Sequence, residues 1–409
     1  VSAAALLLLL LVLAIVGSEW GRADGRRGFG SASGAEYLVL GVLLGPHCGG
    51  VLDDAVVGGF EPIALAALSW IALGYGMDCV VHGERSVPLG RIVSGWAITL
   101  FVGGASGLGA GWVASSFHVL EGDALVAGAA VVGLVCSETA RHALRRIVPR
   151  DVARGPVATL LDDLSTADDA PVMLAMAVLI AALGTEGITI WGRPAPLWAS
   201  ALATVGAGAL VGLLAGHLSS LSSGTSERYA LMLGGVFLLS GIATSVGLSA
   251  TAATFAMGFS FSLRRGVAQD LRELFARSEG AVLLPVLLLA GAMLERPTSL
   301  AQIGIVVAAL SVRVVASWAT GLLLAVGRPS LGAARHQVGI ALLSSGSLAV
   351  IMGFAVRVRF DDAVGHLALG AAAASTLLGE LVARPALRRV LTAADELGTG
   401  SVPPKEATP

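Results

Sequence analysis

Apolar residues run along this chain in blocks of about twenty, punctuated by Gly, Pro and Arg, and within a block no face is reserved for polar side chains. About twenty apolar residues make a helix that crosses the hydrocarbon core of a bilayer. The blocks predict spans at 3–17, 34–50, 60–77, 88–113, 123–140, 158–183, 195–216, 228–246, 248–262, 280–295, 301–325, 334–356 and 364–386. The expected fold is all-α, a polytopic membrane protein of about 13 transmembrane helices with the lipid bilayer as its first partner.

Composition agrees with the pattern. Hydrophobic residues make up 55% of the 409 positions and charged ones 13%, against roughly 25% charged in an ordinary soluble domain. A soluble protein with a very large core would show amphipathic helices instead, so that class is excluded. The net charge of −2 carries no information about partners, and no basic tract with interleaved aromatics points to nucleic acid. Cys48, Cys79 and Cys136 lack any CxxC or metal spacing and read as small packing residues. The stretch GGASGLGAG at 103–111 is superficially like a nucleotide-binding glycine loop, but it lies inside an apolar block with no strand before it. Its small residues at four-residue spacing suit close helix packing.

Charge sets the expected orientation, because Arg and Lys concentrate on the cytoplasmic side. With the N-terminus outside, 21 of the 26 Arg and Lys residues fall in cytoplasmic segments, leaving Arg193, Arg296, Arg357 and Arg359 outside and Arg313 within a span. The C-terminus is then cytoplasmic, and a bacterial inner membrane is the expected location. Reading AALLLLLLVLAIVG as a cleaved signal peptide would invert every later loop and place most arginines on the wrong side.

Against this background a few polar residues stand out. LLDDLSTADDAPVMLAMAVLIAAL, from 160 to 183, sets two aspartate pairs and Pro171 in a membrane-length run. An ionised carboxylate near the bilayer centre costs about 3 kcal/mol on insertion scales, so such residues need a use. Asp162, Ser165, Thr166 and Asp169 form one stripe of a helix, while Asp168 points about 100° away from Asp169. Pro171 cannot donate to the carbonyl of Ala167, which leaves a free backbone oxygen beside both carboxylates. Asp162 and Asp163 belong at the cytoplasmic mouth, where hydration suffices for them. Arg313 cannot usefully deprotonate and must find a carboxylate or a set of carbonyls; an ion pair with Asp168 is one expectation, whether fixed or re-formed during transport. GLVCSETARHAL (133–144) and GIALLSSGSLAVIMGF (339–354) are broken by polar and small residues, including Glu138, and Glu380 lies nearer a cytoplasmic end. Discontinuous helices in corresponding positions of two halves mark a midplane ion site.

These residues resemble the monovalent cation:proton antiporter superfamily, in the branch of bacterial sodium/proton antiporters and Kef-type potassium efflux antiporters. YLVLGVLLGPHCGG resembles the early G-x-L-L-G-P helix, LAALSWIALGYGMDC the next helix, and LSATAATFAMGFSFS the F-x-x-G helix. EGAVLLPVLLLAGAML and LLGELVARPALRRVL follow in family order. The resemblance implies an inverted-repeat sodium/proton antiporter fold with two crossed discontinuous helices. Scaffold and dimerisation helices are expected at 1–80 and 226–295, a core transport bundle at 88–183 and 297–389, a linking helix at 195–216 and a short tail at 390–409. It implies Asp169 as the ion- and proton-binding aspartate and Asp168 as its partner acid, with Thr139 and Ser137 as further ligands and Arg313 as the charge partner. Ser344 to Ser347 match the unwound stretch of the second half. Glu138, Asp162, Ser345 and Ser347 are possible accessory residues: Glu138 stands where relatives carry Pro or Ser, and Ser347 where many carry an acid.

The function implied is exchange of Na⁺, Li⁺ or K⁺ for protons by elevator-like alternating access in a homodimer, with no other cofactor and no nucleotide-binding domain in the chain. Such a protein is a secondary transporter and not an enzyme. A non-transporting scaffold or sensor subunit and an ion-coupled organic-anion symporter on a similar fold are the alternatives.

Overall fold

A computed structural model describes residues 34–80, 87–139, 155–184, 189–190, 193–221, 224–297, 299–326, 334, 337–360 and 362–396. The expected first span at 3–17 and the arginine-rich loop at 140–154 lie outside the described residues.

Each of the later apolar blocks contains helix. In chain order these are α1 (Ala35–Leu44), α2 (Asp54–Gly59), α3 (Glu61–Val80), α4 (Leu89–Ser116), α5 (Gly122–Ser137), α6 (Pro156–Ala167) and α7 (Asp169–Leu183). A two-residue hairpin, Thr189–Ile190 paired antiparallel with Arg193–Pro194, precedes α8 (Leu197–Leu221). Then come α9 (Thr225–Ser245), α10 (Ala250–Ser262), α11 (Arg265–Ala292), α12 (Leu300–Ala325), α13 (Val338–Ala341), α14 (Ser347–Arg359) and α15 (Ala363–Ala393). Among the described residues, seven helices are long and apolar enough to cross a membrane: α3, α4, the α6–α7 pair, α8, α9, α12 and α15. The chain is an integral membrane protein.

Where apolar residues are continuous, hydrophobic pattern cannot place a helix start, and polar caps do so instead. Asp53 accepts from the amide of Val56, Ser249 from Ala252, Ser299 from Gln302, and Asp362 from Val364 and Gly365. Each cap satisfies an amide that would otherwise lack an intrahelical partner.

The helices pack in two groups. In one, α3 lies against α10, α11 and α9, with α8 on α10 and α1 on α11; in the other, α4 lies against α5 and α12, and α15 against α5 and α14. Helix α7 touches α8, α10 and α5 and so sits between them. A buried apolar cluster including Leu68, Ile71, Met173, Met176, Leu288, Val350 and Phe354 runs across the junction.

The glycines at 103 and 107 face α5 at backbone distance. A Cβ added at Gly107 would meet the Ala129 carbonyl oxygen at 2.7 Å, and one added at Gly133 would meet the Gly103 oxygen at 2.4 Å. Gly133→Val is therefore expected to push α4 from α5 and cost about 1–3 kcal/mol, seen as a lower unfolding midpoint in detergent. A wild-type midpoint would mean that the two helices slide apart freely.

Candidate functional site

Three interruptions meet in the second group. Helix α5 ends at Ser137, with Glu138 in an extended conformation, so the block expected to run to 140 stops three residues early. The stretch 342–346 separates α13 from α14. The third break is at Asp168, between α6 and α7, where Pro171 has no amide hydrogen for the Ala167 carbonyl. Asp169 opens α7 directly after Asp168, whose backbone stays in the helical region, and the two helices form one span at Pro156–Leu183. Ser165 and Thr166 donate back to the Asp162 carbonyl at 3.2 and 2.8 Å, and so belong to their own helix turn.

Thr139 ties the first break to the third. Its amide donates to Asp168 Oδ2 at 2.8 Å, and its hydroxyl to the Leu342 carbonyl at 3.5 Å. Asp168 Oδ1 is buried with no hydrogen-bond partner among the described residues. Asp168 is 3% exposed and Asp169 1%, so both carboxyl groups are out of reach of bulk water. Ser137 is buried and donates to the carbonyl of Leu134 at 2.7 Å, which leaves its oxygen lone pairs to act as an acceptor.

Arg313 is fully buried on α12 and takes carbonyls in preference to a carboxylate. Its Nη2 donates to the Glu138 backbone oxygen at 2.8 Å and to the Ser344 oxygen at 3.5 Å, while Nη1 donates to the Ser375 hydroxyl. Among the described residues it makes no ion pair with Asp168, so the expected pairing is replaced by a bridge between two chain breaks. The reason is geometric: helix C-terminal carbonyls are unpaired and carry partial negative charge, and a planar guanidinium can serve several at once.

Glu138 does two opposite jobs. Its carbonyl takes the Arg313 bond, and its Oε2 accepts from the Gly346 amide at 2.7 Å and the Ser345 hydroxyl at 3.1 Å. The carboxylate thereby sits at the positive N-terminal end of α14. Of the two departures from the resembled pattern, Glu138 thus bonds the two residues that precede Ser347 in the chain. Glu138→Ala is expected to cost about 1.5–3 kcal/mol, because charge-assisted bonds are lost and the Gly346 amide is left buried without its acceptor. Chemical unfolding of purified protein measures this, and an unchanged midpoint would show that the α14 terminus needs no counter-charge.

Sequence reasoning missed Ser375 and Thr376 on α15. Ser375 links Arg313 to Ser345, whose hydroxyls lie 3.2 Å apart, and Thr376 donates to the Gly346 carbonyl at 3.3 Å. The signal was a Ser-Thr pair after AAAA in a span, the only break in that run of small apolar residues. Asp163 also departs from expectation: it is buried and ion-paired with Arg91 of α4, so a fixed partner replaces hydration at the helix mouth. Asp162 and Glu380 are both half-buried.

The overall architecture can be placed among known structures. No family model matches the chain, and no curated protein matches it in sequence. The structure of the sodium proton antiporter MjNhaP1 from Methanocaldococcus jannaschii at pH 8 superposes with a TM-score of 0.68 at 16% identity, covering 97% of this chain and 99% of that one. The chain has the sodium proton antiporter fold. An electron-microscopy map structure of the same antiporter gives a TM-score of 0.61 at 16% identity, over 87% of this chain and 90% of that one. Within this fold the two breaks, 138–139 and 342–346, are joined through Arg313, Glu138 and Thr139.

Proposed function

We propose that the chain exchanges a monovalent cation, Na⁺, Li⁺ or K⁺, for protons across the membrane by alternating access, acting as a secondary transporter and not an enzyme. The observation that carries this reading is the buried carboxyl pair Asp168–Asp169 at a helix break, beside the crossing of two further breaks. Support comes from the fold shared with a protein described as a sodium proton antiporter.

The chemistry follows from competition. Burial favours the protonated form of a carboxyl group, and a nearby cation favours the ionised form, so one acid can hold either a proton or a metal ion. Asp169 is the shared binding residue in this reading. Asp168 Oδ1, the Ser137 and Thr139 hydroxyls and the Ala167 carbonyl supply hard oxygen ligands suited to alkali ions. Arg313 acts as a fixed counter-charge between the two breaks. In this reading a core at 88–183 and 297–389 moves against a scaffold at 1–80 and 226–295 that dimerises with a second copy, with 195–216 linking them. The N-terminus lies outside and the C-terminus in the cytoplasm of a bacterial inner membrane.

The test is a proteoliposome pH-gradient assay with Na⁺, Li⁺, K⁺ and choline side by side. Dissipation by at least one alkali ion and none by choline is expected. Equal responses to all four would remove cation coupling.

A further inference from the structure

At the α3–α11 junction a small polar cavity lies behind a side chain that contacts the other packing group. Tyr75 of α3 is 4% exposed, and its hydroxyl lies 2.9 Å from the Ser347 hydroxyl at the start of α14, where either group can donate. This contact crosses from the α3–α10–α11 group to α14 of the other group. Behind Tyr75 is a cavity of ≈ 10 Å³ lined by Trp70, Asp78, Arg272, Phe275 and Glu279. That is the scale of a single water centre, and its polar lining gives such a water partners. Arg272 is held by Asp78, with Nη2 2.6 Å from Oδ2. Trp70 stacks on Phe275 with ring centres 4.1 Å apart and donates to Ser278 at 3.4 Å, forming an aromatic wall. Asp78 is in the last turn of α3, which the arginine distribution assigns to the cytoplasmic side. On the α14 side of this contact, Ser347 follows Gly346, whose amide donates to Glu138 Oε2 at 2.7 Å.

Resting on the exchange reading above, we propose that Glu279, Tyr75 and Ser347 form a proton route from the cytoplasmic side to the buried carboxyl pair, separate from the path taken by the alkali ion. In one transfer, a proton from Glu279 or the cavity water binds a lone pair of the Tyr75 oxygen as the Tyr75 proton passes to Ser347 and the Ser347 proton leaves toward the carboxylates. One proton enters as one leaves, and rotation of the two hydroxyls resets the chain. A hydroxyl pair 2.9 Å apart can hand on a proton in this way, whereas a metal ion needs room for itself and several oxygen ligands.

The experiment compares Tyr75→Phe with wild type in proteoliposomes, using two assays and the alkali ion that is active in wild type. Proton-coupled exchange needs the route. Tracer self-exchange of the same ion across equal concentrations needs no proton. The expected result is a fall of about tenfold or more in coupled exchange with self-exchange within about twofold, and the same split for Glu279→Gln. Equal losses in both assays would make Tyr75 a packing residue and overturn the route, as would no loss in either. Wild-type protein with no alkali flux in either assay would overturn the exchange reading and the route together, a result distinct from active wild type with an indifferent Tyr75→Phe.

Discussion

Asp169→Asn is expected to give a folded protein with no cation-dependent proton flux. The substitution keeps size and shape but removes both the negative charge and the proton, so the position can no longer alternate between occupants. Asp169 is 1% exposed, and an ionised carboxylate there is held at a cost; its neutral amide relieves that cost, so stability should be unchanged or higher. A loss of function through misfolding would show the opposite sign. The check combines the proteoliposome assay with an unfolding midpoint: a loss of coupled flux of at least about a hundredfold with an undiminished midpoint is the predicted pair. Full exchange in Asp169→Asn would remove this residue from the mechanism.

The second large effect is expected at Arg313. Arg313→Met keeps the apolar stem but takes away the donors that bridge the Glu138 and Ser344 carbonyls and the Ser375 hydroxyl. It also leaves the Glu138 carboxylate as a buried charge without its nearby cation. Breaking one side of a buried charge arrangement typically costs about 3–5 kcal/mol, so both stability and transport should fall. Arg313→Lys is expected to recover the charge but not the geometry, since one ammonium cannot span acceptors on two chain segments as a planar fork does. Unfolding midpoints ordered wild type, Lys, then Met would support this. A Met variant as stable as wild type would show that the crossing needs no cation. The Glu138→Ala loss is expected to be smaller, because Arg313 bonds the Glu138 backbone, which alanine retains.

Much of the scaffold was legible in the sequence. Spans could be read because lipid demands apolar side chains over a fixed length, a local requirement. The same demand exposed Asp168, Asp169, Glu138 and Arg313, since any charge in such a run is conspicuous. The breaks at 137–139 and 342–346 showed as polar and small residues, and the glycines at 103 and 107 as a spacing. Partner choice was not readable. Arg313 is charged, and a charge argument alone sends it to Asp168; the structure sends it to carbonyls, because those belong to chain ends that only the folded arrangement creates. Asp163 met Arg91 for a similar reason, as the two are 72 residues apart and are brought together by the packing of α4 on α6. Ser375 and Thr376 were overlooked because a Ser or Thr hydroxyl in a helix is ordinarily bonded to its own preceding turn.

By itself, then, the sequence determined that the chain is a bundle of membrane-crossing helices and that a handful of charges lie within it, because both follow from the transfer of side chains from water to hydrocarbon, residue by residue. Only the tertiary structure decided that Glu138 caps α14 while Arg313 caps α5, and that Thr139 holds Asp168. Those pairings depend on where interrupted helices meet, and they join residues 29, 175 and 208 positions apart, relations that no local pattern encodes.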